Sequence, residues 1–162
     1  MPLRFWLLSV LCAVIPDADV IGFSFGIRSS DLFGHRGFSH SLLFALGLGL
    51  FVVLVFFKDT QRLTRGWWAL VSYFTLVTAS HGVLDALTDG GPGVAFFTPF
   101  DNTRYFFPWR PIEVSPLRVE AFLGARGRAV LASEIKWLWL PCGVLVVAIL
   151  LWRSPAIRHH SE

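Results

Sequence analysis

Four blocks of consecutive apolar positions, separated by polar segments, dominate the chain. Residues 3–15 form the first block, 41–57 the second, 67–87 the third and roughly 134–152 the last. A helix that crosses a bilayer takes about 20 mostly apolar residues. The second, third and fourth blocks are expected to be such helices, and the first is short for one. It is expected to stop at Pro16, because a proline ring and its missing N–H oppose continuation of an α-helix. A secretory leader would also carry a basic start and an apolar middle, but Ile15-Pro16-Asp17 lacks the small residues of a cleavage site. Residues 3–15 are therefore read as a short first membrane helix, tilted or with its start further upstream. Gly47 and Gly49 sit inside the second block, as glycines do where membrane helices pack closely. Trp67 and Trp68 mark the entry of the third, and Pro141 is expected to kink the fourth. Residues 16–40 read as a polar loop, 58–66 as a short basic turn, and 88–134 as a long mixed segment opened by Gly90-Gly91-Pro92-Gly93. The expected fold is an all-α integral membrane protein of about four transmembrane helices, organised as a single domain over residues 1–162.

Composition sharpens this picture. The chain has 162 residues, 54% hydrophobic and only 15% charged, where soluble domains carry about 25% charged residues. Its formal charge of +3 comes without a basic tract, so nucleic acid is not an expected partner. Cys12 and Cys142 lie in apolar runs without a CxxC pair and read as small core residues. If the four blocks alternate across a membrane, Arg4, Lys58, Arg62, Arg65, Arg153 and Arg158 fall on one side, against Asp59 and Glu162. The positive-inside rule makes that side cytoplasmic. Loops 16–40 and 88–134 then face outward, which is the periplasm for a bacterial inner membrane.

The chemistry-bearing residues gather in those outward segments. His81 and Asp85 are spaced i, i+4, which puts both on one helix face. Ionisable residues near a membrane span are costly and tend to be functional, although a hydrogen-bonded structural pair has the same spacing. Asp89 lies one turn further. Asp17 and Asp19 follow Pro16, and two carboxylates so close repel unless a cation or arginine lies between them. His35 and His40 flank Gly37. Three histidines with these aspartates make a mixed nitrogen and oxygen donor set, suited first to zinc and also to manganese or iron, as one or two ions. Arg36 and Arg110 offer planar forks for phosphate, with Arg104 near the aromatic run from Tyr105 to Trp109. A carboxylate, Asp19 or Glu134, would take the proton in hydrolysis. Glu134 is placed at the start of the last helix, where a cap or a pair with Arg126 or Arg128 is the alternative. The expected function is metal-dependent hydrolysis of a phosphoester on a lipid or lipid-linked substrate. The alternative is a metal-binding membrane protein without turnover, in a structural, transport or assembly role. Transport would place ionisable residues along the middles of several spans, and these spans have almost none.

Pro16-Asp17-Ala18-Asp19, His35-Arg36-Gly37-Phe38-Ser39-His40-Ser41, His81 to Thr88 and Pro99 to Arg104 occur in an order that resembles the YdjM-like inner-membrane metal-dependent hydrolases. Phe107 to Pro111 and Ser133-Glu134 also look like that family. The resemblance covers nearly the whole chain and implies a membrane-bound metal-dependent hydrolase with no defined substrate class. Members often carry a further helix with a histidine ahead of the Pro-Asp-x-Asp stretch. This chain has no histidine before His35, so that ligand is expected to be dispensable or to lie upstream of the start given.

Overall fold

The computed structural model describes residues 2–116 and 119–153. Among these residues the regular elements are all helical, and an isolated antiparallel bridge joins Val94 and Tyr105. The chain divides into two compact units, Met1–Arg110 and Pro111–Glu162.

Three α-helices frame the first unit: α1 (Leu3–Val14), α2 (Leu42–Phe56) and α3 (Arg65–Ala86). At 1.5 Å per residue, the 22 residues of α3 extend about 33 Å. Two hydroxyl caps set the starts: Ser41 accepts from the Phe44 N–H at 3.0 Å, and Thr64 accepts from the Trp67 N–H at 3.3 Å. The three helices bury Phe5, Leu8, Cys12, Val52, Val53, Phe57, Trp67, Val71 and Phe74 against one another. Gly49 makes the α2–α3 approach close. A Cβ there would lie 2.5 Å from Thr75 Oγ1 and 2.9 Å from the Thr75 backbone nitrogen. Arg4 lies 5.3 Å from the Phe57 ring and 3.9 Å from Asp59, so the start of α1 meets the end of α2. α1 and α3 therefore run parallel, with α2 antiparallel between them in sequence. Arg4, Lys58, Arg62 and Arg65 lie at one end of this bundle, and the aspartates and histidines lie at the other.

The structure corrects the expected boundary at Pro16. The helical path does not end there but tightens into a 3-10 helix, Ile15–Phe25. Proline is tolerated because it sits in the first turn, where its missing N–H breaks few bonds. Leu3–Phe25 is thus one helical stretch of 23 residues, long and apolar enough to cross a membrane, as is Ala125–Arg153. Residues 16–25 are not the loop the sequence suggested.

In the second unit α4 (Val119–Phe122) is followed by α5 (Ala125–Glu134) and α6 (Leu140–Arg153). A wider π-type turn, Ile135–Trp139, joins α5 to α6. Glu134 therefore closes α5 and does not begin the last helix. The break expected at Pro141 is this turn just before it, as helices accommodate a missing N–H by local widening. Arg126 lies 4.0 Å from Glu113, so that arginine is turned to a carboxylate other than Glu134.

Candidate metal centre

Four side chains converge on the side where α1 and α3 end and α2 begins. Asp17 comes from the first turn of the 3-10 stretch, His40 from the short turn Phe38–His40 ahead of α2, and His81 and Asp85 from the last turns of α3. His40 Nε2 lies 3.1 Å from Asp85 Oδ2 and 3.6 Å from Asp17 Oδ1. His81 Nε2 lies 3.2 Å from Asp17 Oδ1 and 3.8 Å from Asp85 Oδ2. A tetrahedral ion with nitrogen and oxygen ligands at about 2.0–2.1 Å has ligand–ligand edges of about 3.3–3.4 Å. The observed edges bracket that value.

The protonation of the ring nitrogens points the same way. His81 Nδ1 lies 2.8 Å from the Ala13 carbonyl, which can only accept, so Nδ1 carries the hydrogen and Nε2 presents a lone pair. Ser39 Oγ donates to Asp19 Oδ2 and lies 2.9 Å from His40 Nδ1. With its proton given to Asp19, the hydroxyl accepts from His40 Nδ1–H, and His40 Nε2 also presents a lone pair. His40 Nε2, His81 Nε2 and Asp85 Oδ2 are buried without a hydrogen-bond partner. Lone pairs facing carboxylate oxygens across 3.1–3.8 Å require a cation or a proton between them. Burial disfavours a charged His40 imidazole, but the carboxylates of Asp17, Asp19 and Asp85 outweigh it and push its pKa up to about 10. The donor set thus fits a divalent cation, which would replace that proton.

A second layer fixes the first. His35 Nδ1 pairs with Asp19 Oδ1 at 2.8 Å, and the Arg36 N–H donates to Asp19 Oδ2 at 3.2 Å. Asp19 also reaches His40 Nδ1 at 3.2 Å, so Asp19, His35 and His40 form a second possible donor group. Both oxygens of Asp19 are, however, taken up by these hydrogen bonds. Arg36 is buried, with Nη2 on Asp85 Oδ1 at 2.8 Å and Nη1 on the Gly90 carbonyl at 2.8 Å. It holds one oxygen of Asp85 and leaves the other to the four-atom cluster. Its backbone sits at φ 63°, a strained value for a non-glycine residue, held by Asp19 on its N–H and by the Ala95 N–H on its carbonyl. Gly37 allows the turn between the two histidines, since a Cβ there would lie 2.5 Å from the Leu32 carbonyl oxygen.

Residues 3–158 match the YdjM inner membrane protein family. The chain belongs to that family. It is 38% identical over 154 residues to the inner membrane protein YbcI of Escherichia coli (strain K12), covering 94% of this chain and 86% of that relative. No solved structure matches the chain. The YdjM assignment and the two long apolar helices agree in placing the protein in a membrane.

For this YdjM-family chain the structure sorts the residues read from sequence. Asp17, His40, His81 and Asp85 come together in one donor set, with Asp19 and His35 directly behind it. Asp89 belongs to neither donor group. Arg104 donates to the carbonyls of His35, Gly93 and Ser29 and so ties three loops together. Arg110 is exposed, its guanidinium 4.7 Å from the Phe106 ring centre. Glu134 lies in the second unit, whereas both donor groups lie wholly in the first. Sequence reasoning did not single out Ser39 or the Ala13 carbonyl. Ser39 had a signal, being the residue before His40. The Ala13 carbonyl had none, since any residue supplies one.

Proposed function

We propose that this chain is a membrane-bound, metal-dependent hydrolase acting on a phosphoester of a lipid or lipid-linked substrate. The observation that carries the proposal is the four-atom cluster: His40 Nε2, His81 Nε2 and Asp85 Oδ2, buried without hydrogen bonds and gathered with Asp17 Oδ1. Zinc suits two imidazoles and two carboxylates, with manganese or iron as alternatives. The chemistry such a cation supplies is Lewis-acid activation of water and stabilisation of charge on the oxygen being displaced. The chain's own residues do the rest. Ser39 and the Ala13 carbonyl hold the two imidazoles in one tautomer, Arg36 aims Asp85, and Asp19 organises His35 and His40. Asp17 is 53% exposed while the other three are at or below 18%, so water and substrate reach the cluster past Asp17. This reading assigns no role to Glu134, which lies in the second unit while the donor groups lie in the first.

The test is purified protein in detergent, loaded with zinc and offered phospholipids, polyprenyl phosphates, carboxylic esters and amides. Release of phosphate or headgroup is the expected result. Turnover confined to esters or amides would replace the phosphoester, and metal binding without any turnover would favour a structural or transport role.

In the same reading, four helices cross the inner membrane with the basic end of the bundle inside. With Cys12 and Cys142 replaced by alanine, Thr103→Cys should react with an impermeant maleimide in intact spheroplasts. Gln61→Cys should react only after permeabilisation. The reverse labelling would put the site on the cytoplasmic face.

A further inference from the structure

The hydrogen bond from His81 Nδ1 to the Ala13 carbonyl spans 2.8 Å between α3 and the end of α1. A carbonyl inside a helical stretch is ordinarily claimed by its own helix. Ala13 lies in the last turn of α1, where α spacing would offer it the Asp17 N–H. The 3-10 stretch that follows is capped by Val14, whose carbonyl takes the Asp17 N–H under i→i+3 pairing. The claimant left for the preceding carbonyl is the N–H three residues on. For Ala13 that N–H belongs to position 16. Position 16 is proline, which has no N–H to give.

We infer that Pro16 is a positioning residue for His81: by withholding the N–H that would claim the Ala13 carbonyl, it leaves that carbonyl to orient a ligand of the candidate metal centre. This rests on the metal-centre reading above. The bond fixes both the ring plane of His81 and the nitrogen that carries its hydrogen, as outer partners of metal-bound histidines do. Pro16 is itself fully buried, so its ring is packed at this junction and not turned to solvent. One residue further on, Asp17 enters the same cluster from α1's end. The pair Pro16-Asp17 thus delivers one ligand directly and steers a second across the helix interface. A proline placed there only to end a helix would not need its i−3 carbonyl facing a histidine 68 residues away.

The experiment varies the N–H at position 16 separately from the ring. Pro16→Ala restores an N–H. Lactic acid incorporated at position 16, joined by an ester, has the alanine side chain without the N–H. Zinc affinity of each full-length protein is measured in detergent by competition with a chromophoric chelator, and the tautomer of His81 is read from its ring 15N shifts in the metal-free protein. Pro16→Ala should weaken zinc binding roughly 10- to 100-fold, the usual cost of losing an outer partner, and should lose the single Nδ1–H tautomer. The ester version should recover both. Zinc affinity and tautomer unchanged in Pro16→Ala would overturn the inference. So would an ester version as weak as Pro16→Ala, since the ring and not the missing N–H would then matter. If Pro16→Ala does not fold, the ester version must still bind zinc as the native chain does. A native chain that binds no zinc but keeps the Nδ1–H tautomer at His81 would sink the metal centre, and the inference with it as a statement about a ligand.

Discussion

Purified His40→Ala protein is expected to contain no stoichiometric metal, while His35→Ala retains one ion per chain. His40 is fully buried and supplies the Nε2 closest to Asp85, at 3.1 Å. Its removal leaves Asp17, His81 and Asp85 around a gap that no neighbouring donor can fill, because Asp19 is already held by His35, Ser39 and the Arg36 N–H. Changing an outer partner of a metal ligand costs about 10- to 100-fold in affinity, so loss of a ligand should exceed about 100-fold. His35 acts differently. It pairs with Asp19 and comes no closer than 3.9 Å to Asp17, so its loss should loosen the second layer and leave the four-atom cluster in place. Elemental analysis after dialysis against trace metal reads both variants. Two ions in the native chain, one of them lost in His35→Ala, would show that Asp19, His35 and His40 hold an ion of their own. Full metal content in His40→Ala would remove His40 from the ligand set.

The second and third helices were legible to within a residue or two, because long apolar runs between basic or polar turns leave little choice. The residues that gather into the two candidate donor groups stood out for a related reason: histidines and aspartates are conspicuous against an apolar background. What the sequence hid was backbone. Pro16 reads as a stop signal, yet a 3-10 helix tolerates it in the first turn, and the helical path continued to Phe25. The turn at Ile135–Trp139 likewise moved the start of the last helical stretch back to Ala125, which stranded Glu134 mid-path. The division of labour among six candidate ligands was also hidden. Spacing says which side chains share a face, but only the hydrogen bonds of Ser39, Ala13 and Arg36 say which oxygen or nitrogen is left for a cation. Arginine was the most misleading residue type. Arg36 was read as a fork for phosphate, with Arg104 beside the aromatic run, and the two are tied to a carboxylate and to backbone carbonyls.

That distinction gives the sharpest separation between holding the site and using it. Arg36→Gln should lose metal, and Arg110→Gln should keep it and turn over more slowly. The Arg36 side chain is 4% exposed and bonded to Asp85 Oδ1 at 2.8 Å. Removing one partner of such a buried pair typically costs about 3–5 kcal/mol. Asp85 would then be free to turn both oxygens away from His40, so metal content and thermal stability should fall together. Arg110 is exposed and rests against the Phe106 ring, with no carboxylate pairing to lose in that contact. If it meets the phosphate of a lipid substrate, losing one charge-assisted contact of about 1.5–3 kcal/mol should lower kcat/KM roughly ten- to a hundredfold. Its metal content and melting temperature should match the native protein. The two variants are compared by elemental analysis, thermal unfolding in detergent and rates on the phosphoester that turns over. A metal-replete, stable Arg36→Gln with impaired turnover would make Arg36 a substrate-gripping group and undo its role at Asp85. Native rates in Arg110→Gln on every phosphoester tried would take Arg110 out of the substrate site and leave the phosphate reading without its exposed cation.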